Sequence, residues 1–575
     1  MFSKKISLIL LFLFVLCFSL TYVSASQDNA TVGELTADKN IDIESSVIDE
    51  DVISEDSDKG NFSDLDNLIK TGDKEINLEK DYIYDGGNFN EGISITNLTI
   101  DGQGHTINAN NQAAVFQAYG SVTIKNINFV NAKGSVIGYA QKISIINCTF
   151  VGNSVEWGAI RISMNNPELL VENCSFINNS CCGIYISEIY KGNNCVSVLN
   201  CSFVNNTRSS INAVAARIDL NVSKCRFINN SNSPRNAVLD TDELKSLFIS
   251  DCDFINNKGD VALSSYSDDI LIVNVSFVNN TNGAMYVGGH AVVSNSTFIN
   301  NSADNGGAIY VEYGHDLSIV NCNFVNNAAN ECGGVLFSND NDKDDKISIT
   351  KCTFADNSAV KYGGVLYSEY GNNIIEDSKF TNNSAGEGGA IYLFKGMYNY
   401  LSVMRSDFTN NYANNGGAVY ASAYNEVSIS DCNFINNNQT FYHVGADKFD
   451  VVNSKVIENG KDINGNENSK SADNGNSATN AKSNPIKLTL KKVTVKKSAK
   501  KLVIQATLKS NGKPVKGKII KFKFNKKTYK AKTNAKGVAK ITVKKAVLKK
   551  LKKGKKVIYT ATYGKITKKV TVKVK

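Results

Sequence analysis

Ile299-Asn-Asn-Ser-Ala-Asp-Asn-Gly-Gly-Ala-Ile-Tyr310 is one clean copy of a unit that recurs through most of the 575-residue chain. The unit has two landmarks. One is F-x-x-N, here Phe298 and Asn301; the other is Gly-Gly-Ala-Ile-Tyr or a close variant. The phenylalanines fall at 129, 150, 176, 203, 227, 254, 277, 298, 324, 354, 380, 408 and 434, 21 to 30 residues apart, and all but Phe129 have Asn three residues on. A fixed period of this length without helical patterning is the mark of a solenoid. Each unit holds short runs in which aliphatic and polar residues alternate, such as Leu317-Ser-Ile319 and Val427-Ser-Ile429, separated by Asn, Gly and Ser. Alternation with period two means strand, and the separators are turn formers. Two or three such strands in about 25 residues leave no room for a crossover helix, which predicts a right-handed parallel β-helix with coils ~4.8 Å apart.

Stacking in register turns recurring residues into columns along the axis. Two residues before each Phe stands Cys at 148, 174, 201, 225, 252, 322, 352 and 432, and otherwise Ile127, Val275, Ser296, Ser378 or Ser406. The position wants a small residue and reads as an inward column beside the rings. The residue before it is Asn or Asp in ten of thirteen copies, where amides can bond along the axis and turn conformations are tolerated. The Gly pairs beginning at 306, 333, 363, 388 and 416 predict a tight corner where a Cβ would clash or φ must be positive.

Outward from the repeat the chain divides into five parts. Residues 1–25 carry Lys4 and Lys5, the apolar run Ile6 to Leu20, and Val23-Ser-Ala25, the pattern of a secretory signal peptide. Residues 26–60 are an acidic spacer too poor in apolar residues to bury a core. The β-helix spans 61–458, opened by a short amphipathic helix from Phe62 to Lys70 that caps its first coil. A flexible linker follows over 459–484. Residues 485–575 then hold 32 Lys and no Arg, Asp or Glu, whereas 26–483 hold 29 basic and 55 acidic residues. The net charge of +8 is therefore a sum of opposites. The tail has alternating strands near 502–508, 519–524, 538–543, 557–563 and 570–574 with Gly-containing turns, the spacing of a β-sandwich.

With these motifs in view, the F-x-x-N and Gly-Gly-Ala-Ile-Tyr pairing (Phe380, Asn383, Gly388 to Tyr392; Phe408, Asn411, Gly416 to Tyr420) resembles the repeat of chlamydial polymorphic outer membrane proteins and related adhesins. The whole layout, with Gly512-Lys-Pro-Val515 and Thr533-Asn-Ala-Lys-Gly537 in the tail, resembles the adhesin-like proteins of methanogenic archaea. The resemblance implies a secreted or wall-associated glycoprotein adhesin, a pectin-lyase-like β-helix and an Ig-like tail domain. The chain departs from the chlamydial type in ending on Lys-studded strands that could not face lipid as a membrane barrel does.

Function is expected to be adhesive or structural, with no catalysis, no cofactor, no metal and no membrane span. The tail's unopposed charge fits an anionic cell-wall polymer; nucleic acid would bind in vitro but is not the expected partner of an exported chain. The β-helix is expected to meet glycans or surface proteins of other cells. Strand parity turns Tyr185, Tyr286, Tyr310, Phe337, Tyr367, Tyr392 and Tyr420 outward as a stripe of rings, either a ligand face or rings that stack on one another. The alternative is an extracellular polysaccharide lyase or hydrolase acting on acidic glycans. Its carboxylates would be Asp240, Asp242 and Glu243, or Asp268 and Asp269, and these do not recur in phase with a partner base. The histidines at 105, 290, 315 and 443 are too scattered for a site. Asp340, Asp342 and Asp344 alternate like a calcium loop but lack its Gly and Glu. Cys181, Cys182 and Cys195, outside the Cys column, are the disulfide candidates. Asn61, Asn178, Asn205, Asn279, Asn300 and Asn382 begin N-x-S/T sequons suited to glycosylation.

Overall fold

The computed structural model describes residues 59–138, 142–163, 168–189, 195–231, 237–312, 316–339, 345–394, 399–458, 461–462, 487–510, 513–525, 527–563 and 566–575. The expected signal peptide, nearly all of the spacer and linker, His315, and Asp340, Asp342 and Asp344 lie outside them. The chain divides into two compact units, the first ending at Ser469.

The first unit is a parallel β-solenoid of three long sheets with 18, 15 and 16 strands. Each coil adds one short strand to each sheet. In the first sheet the F-x-x-N phenylalanines pair in register, Phe277 with Phe298 and Phe298 with Phe324. Their rings stack from Phe129 to Phe434 at 4.4 to 5.1 Å and are wholly buried. In another sheet five-residue strands such as Lys142–Ile146 point Ile143 and Ile145 into the same core.

Two polar ladders accompany the rings. The Asn of F-x-x-N is buried in every coil from Asn153 to Asn437. Asn301 accepts from the Asn280 backbone N–H and amide at 3.0 Å each, and donates to the Phe277 carbonyl at 2.9 Å and to Asn327 Oδ1 at 3.0 Å. Each amide thus satisfies polar groups of neighbouring coils that water cannot reach. The Cys column is a second ladder: Cys148 N–H donates to Cys174 Sγ at 3.4 Å and Cys174 Sγ to the Glu172 carbonyl at 3.2 Å. Where Ser replaces Cys the pattern persists, with Ser378 N–H donating to Ser406 Oγ at 3.1 Å. Eleven of the thirteen copies, Cys or Ser, thus combine small size with an acceptor atom, whereas Ile127 and Val275 supply packing alone.

The Asn/Asp column before it is left-handed throughout, with φ of 48° to 58°, even where Lys224, Lys351 or Arg405 stands there. Its side chains bond coil to coil, as in Asn147 Nδ2 to Asn126 Oδ1 at 2.6 Å. A second left-handed column (Asn178, Asn205, Asn279, Asn300, Asn326, Asn382) lies just past the ring strand. Asn dominates both because its short amide tolerates this conformation. The glycine corners use both expected reasons: Gly363 has φ +63°, while a Cβ on Gly364 would lie 2.1 Å from the Gly389 carbonyl oxygen of the next coil.

At the N-terminus the helix Phe62–Ile69 buries Phe62, Leu65 and Ile69, and Asn61 and Asp64 close a capping box. At the other end Lys461–Asp462 pairs antiparallel with Lys455–Glu458, ending the parallel ladder on that edge.

The second unit is two antiparallel four-stranded sheets sharing one core. Lys487–Leu490 pairs with Lys501–Ser510, which pairs with Val538–Lys544. Ile519–Phe524 lies between Lys527–Lys532 and Lys556–Tyr563, and the last pairs with Ile566–Lys573. Buried Tyr559 donates its hydroxyl to the Lys491 carbonyl at 3.0 Å and accepts from Val493 N–H at 2.8 Å, tying the first strand's exit to the core. The strand Lys527–Lys532 is not evident in the sequence, because as an exposed edge it carries lysine where an apolar face would otherwise announce it.

Candidate functional site

The outward aromatic column exists, and over its middle the rings stack on one another under cover and do not form an open face. Strand register places Tyr286, Tyr310, Phe337, Tyr367, Tyr392 and Tyr420 one above another. Successive rings are 4.6 to 5.6 Å apart. Phe337, Tyr367 and Tyr392 are only 4 to 7% exposed, and with Cys332 they form a separate small core, Tyr362 packed against it. The reason lies in the corner loops. Ser302–Asn305, Ala328–Cys332 and Ser358–Ala359 pair as a short fourth sheet, and Cys332 and Tyr362, from the same loops, lie on the rings. The rings point away from the main core, as parity requires, yet a roof covers the middle of the column. Tyr185 is set apart. Between it and Tyr286 the same column carries Asn212, Asp240 and Ser264, and Tyr185 instead meets exposed Trp157 at 5.3 Å.

Where the rings give way to small polar residues the surface opens into a groove of about 690 Å³, lined among others by Asp240, Asp242, Asp260, Tyr266, Tyr286 and Tyr310. Sequence reading picked out Asp240 and Asp242 but not Asp260, which a coil further on only register brings near. Glu243 sits in a left-handed turn outside the lining, and Asp268 pairs with Arg217 at 3.1 Å. Among the described residues no cluster of three or more His, Cys, Asp or Glu could hold a metal. Burial holds the Asp240 carboxyl up at about 6 from its usual 3.8, with Asp242 and Asp260 adding like-charge repulsion. The folded protein therefore keeps this proton more firmly than the unfolded chain. The resulting stability is full below pH ~4 and lost as pH rises through ~6. Asp240→Asn should accordingly raise stability at pH 8 by on the order of 1–2 kcal/mol and flatten the profile between pH 4 and 6. Melting curves of both proteins across that range check this; superimposable profiles would refute it.

The disulfide expectation is also corrected. Cys181, Cys182 and Cys195 are unbonded, as are all the described cysteines. Cys182 pairs beside Gly158 in the ring-column sheet, whereas Cys195 is exposed on another sheet beside Glu168. Burial pushes the Cys181 and Cys182 thiols to about 11 and 12, so neither is an available nucleophile. Cys332, a fourth cysteine outside the column and not among the candidates, is buried against the covered rings.

Of the sequon asparagines, Asn61 is engaged as a helix cap through Oδ1. Asn279 and Asn300 donate along the outer ladder at 3.0 Å. Asn178 and Asn205 are exposed on the same column and Asn382 is half-buried there. In the tail Lys497, Lys545, Lys549, Lys553 and Lys575 converge on a shallow groove of about 380 Å³. No described helix is long and apolar enough to cross a membrane.

These features define a β-solenoid with a groove of about 690 Å³ on a flank and a separate basic sandwich. Residues 82–245 and 237–412 match the family described as right handed beta helix region; together they are more than half of the chain, which belongs to that family and is a right-handed parallel solenoid. Residues 405–422 match the Chlamydia polymorphic membrane protein repeat, a repeat of surface proteins. No curated protein and no solved structure matches the chain.

Proposed function

We propose that the protein is a secreted, surface-held adhesin-like rod without catalytic activity, anchored to an anionic wall polymer by an Ig-like tail. The observation that carries this reading is charge segregation. Thirty-two lysines and no acidic residue occupy 485–575, and the tail nevertheless has its own apolar core, so the charge is displayed on a folded surface. Such a surface binds polyanions by releasing counterions, and its affinity falls steeply with salt. The intact protein should sediment with purified cell walls at low salt and be released at high salt, while a chain ending at residue 484 should stay in solution. Retention at 1 M salt, or equal sedimentation of the shortened chain, would count against electrostatic anchoring.

A second reading has one observation in its favour. Asp240, with its raised pKa, lies beside Asp242 in the groove, as a general acid beside a carboxylate would in a glycosidase. Turnover of any polysaccharide by the purified protein, abolished in Asp240→Asn, would replace the adhesin reading with it.

A further inference from the structure

The gap in the ring column has the makings of a site. Asn212, Asp240 and Ser264 replace rings on three successive coils, and the roof begins only with the strand Ser302–Asn305. The rings bordering the gap are therefore reachable from outside: Tyr266 is 38% exposed, and Tyr286 and Tyr310 are half-buried. Asp240 and Tyr286 stand two coils apart on one column, ~10 Å, enough for a disaccharide between carboxylate and ring. We propose that this groove binds an uncharged sugar chain, a reading that rests on the rod's role as a surface-binding protein and names its ligand class.

Three features converge on that chemistry. Tyr266 and Tyr286, 5.5 Å apart and inclined by 50°, give faces on which the C–H side of a pyranose stacks. Asp242 and Asp260 supply acceptors for sugar hydroxyls, and no basic residue is among the described residues lining the groove, so an acidic glycan would meet unbalanced repulsion. Asn212, 7% exposed, turns its amide toward the Asp240 carboxylate at 3.4 Å, while its Oδ1 has no partner among the described residues. A buried acceptor left unpaired beside a groove is a feature that folding alone does not favour. The groove volume is within the range of small-ligand sites.

The test is calorimetry on the intact protein with tetrasaccharides of glucose, mannose, galactose and N-acetylglucosamine, and with tetragalacturonate. At least one neutral tetramer should bind, and Tyr286→Ser and the double variant Asp242→Asn/Asp260→Asn should each weaken it by about tenfold or more, with melting temperatures confirming that both variants fold. Tetragalacturonate binding should be unchanged in the variants, because the tail carries it. Failure of every neutral tetramer to bind, or equal binding by both variants, would overturn the proposal. Wall sedimentation of the same variants depends on the tail, so its loss would indict the surface-anchoring reading and its persistence would confine the failure to the groove.

Discussion

Replacing Asn301 with leucine should destabilise the solenoid by ~3 kcal/mol or more, because one substitution removes four buried hydrogen bonds and leaves the Asn280 N–H with no other partner among the described residues. The bonds lost are those from the Asn280 N–H and amide and those to the Phe277 carbonyl and Asn327 Oδ1; Asn327 Oδ1 keeps the Asn301 backbone N–H and the Asn280 amide keeps the Phe254 carbonyl. Leucine is close in volume, so the loss isolates hydrogen bonding from packing. The neighbour gives the control. Asn300 lies on the outer ladder with φ +59° and makes its bond to Asn279 at the surface; Asn300→Gly keeps the left-handed turn and should cost no more than ~1 kcal/mol. Urea unfolding followed by far-ultraviolet circular dichroism separates the two. If Asn301→Leu unfolds within about 1 kcal/mol of the parent, the buried amide ladder is not what holds the coils together.

The second large effect is expected at the ring stack. Phe298 is wholly buried between Phe277 at 4.9 Å and Phe324 at 4.6 Å. Phe298→Ala leaves a void that the rigid coil spacing cannot close, for a loss of ~3–5 kcal/mol. Phe298→Leu should fill most of that space and lose ~1–2 kcal/mol. In a solenoid each coil contacts only its neighbours, so damage at a central coil can split unfolding into two steps. A broadened or biphasic transition in Phe298→Ala, absent in Phe298→Leu, would be the signature of local rupture. Equal midpoints for the two variants would show that refilling the apolar volume recovers nothing and that the void is not the source of the loss.

The Asn and Phe of F-x-x-N are thus one device. The ring supplies apolar burial within the coil, and the amide three residues later satisfies the backbone where the chain turns.

The amino-acid sequence by itself determined the solenoid, because a period near 25 residues with alternating strands admits no other way to bury Phe, Cys and Ile together. It also determined which positions face inward, the left-handed corners marked by Asn and Gly, and the split between an acidic rod and a basic tail. Those features are local, written in residue type and spacing. What surrounds a residue on adjacent coils is not local. Tyr367 and Tyr392 were legible as outward-facing, yet only the pairing of corner loops as a fourth sheet decided that they are covered. Asp240 read as one more turn carboxylate until register set it beside Asp242, Asp260 and Tyr286, residues distant in sequence. Cys195 could be judged unable to reach Cys182 only when the two fell on different sheets. Periodicity specifies a coil from a single repeat, whereas a roof, a groove or a crosslink depends on how unequal loops stack on neighbouring coils, and that relation exists only in three dimensions.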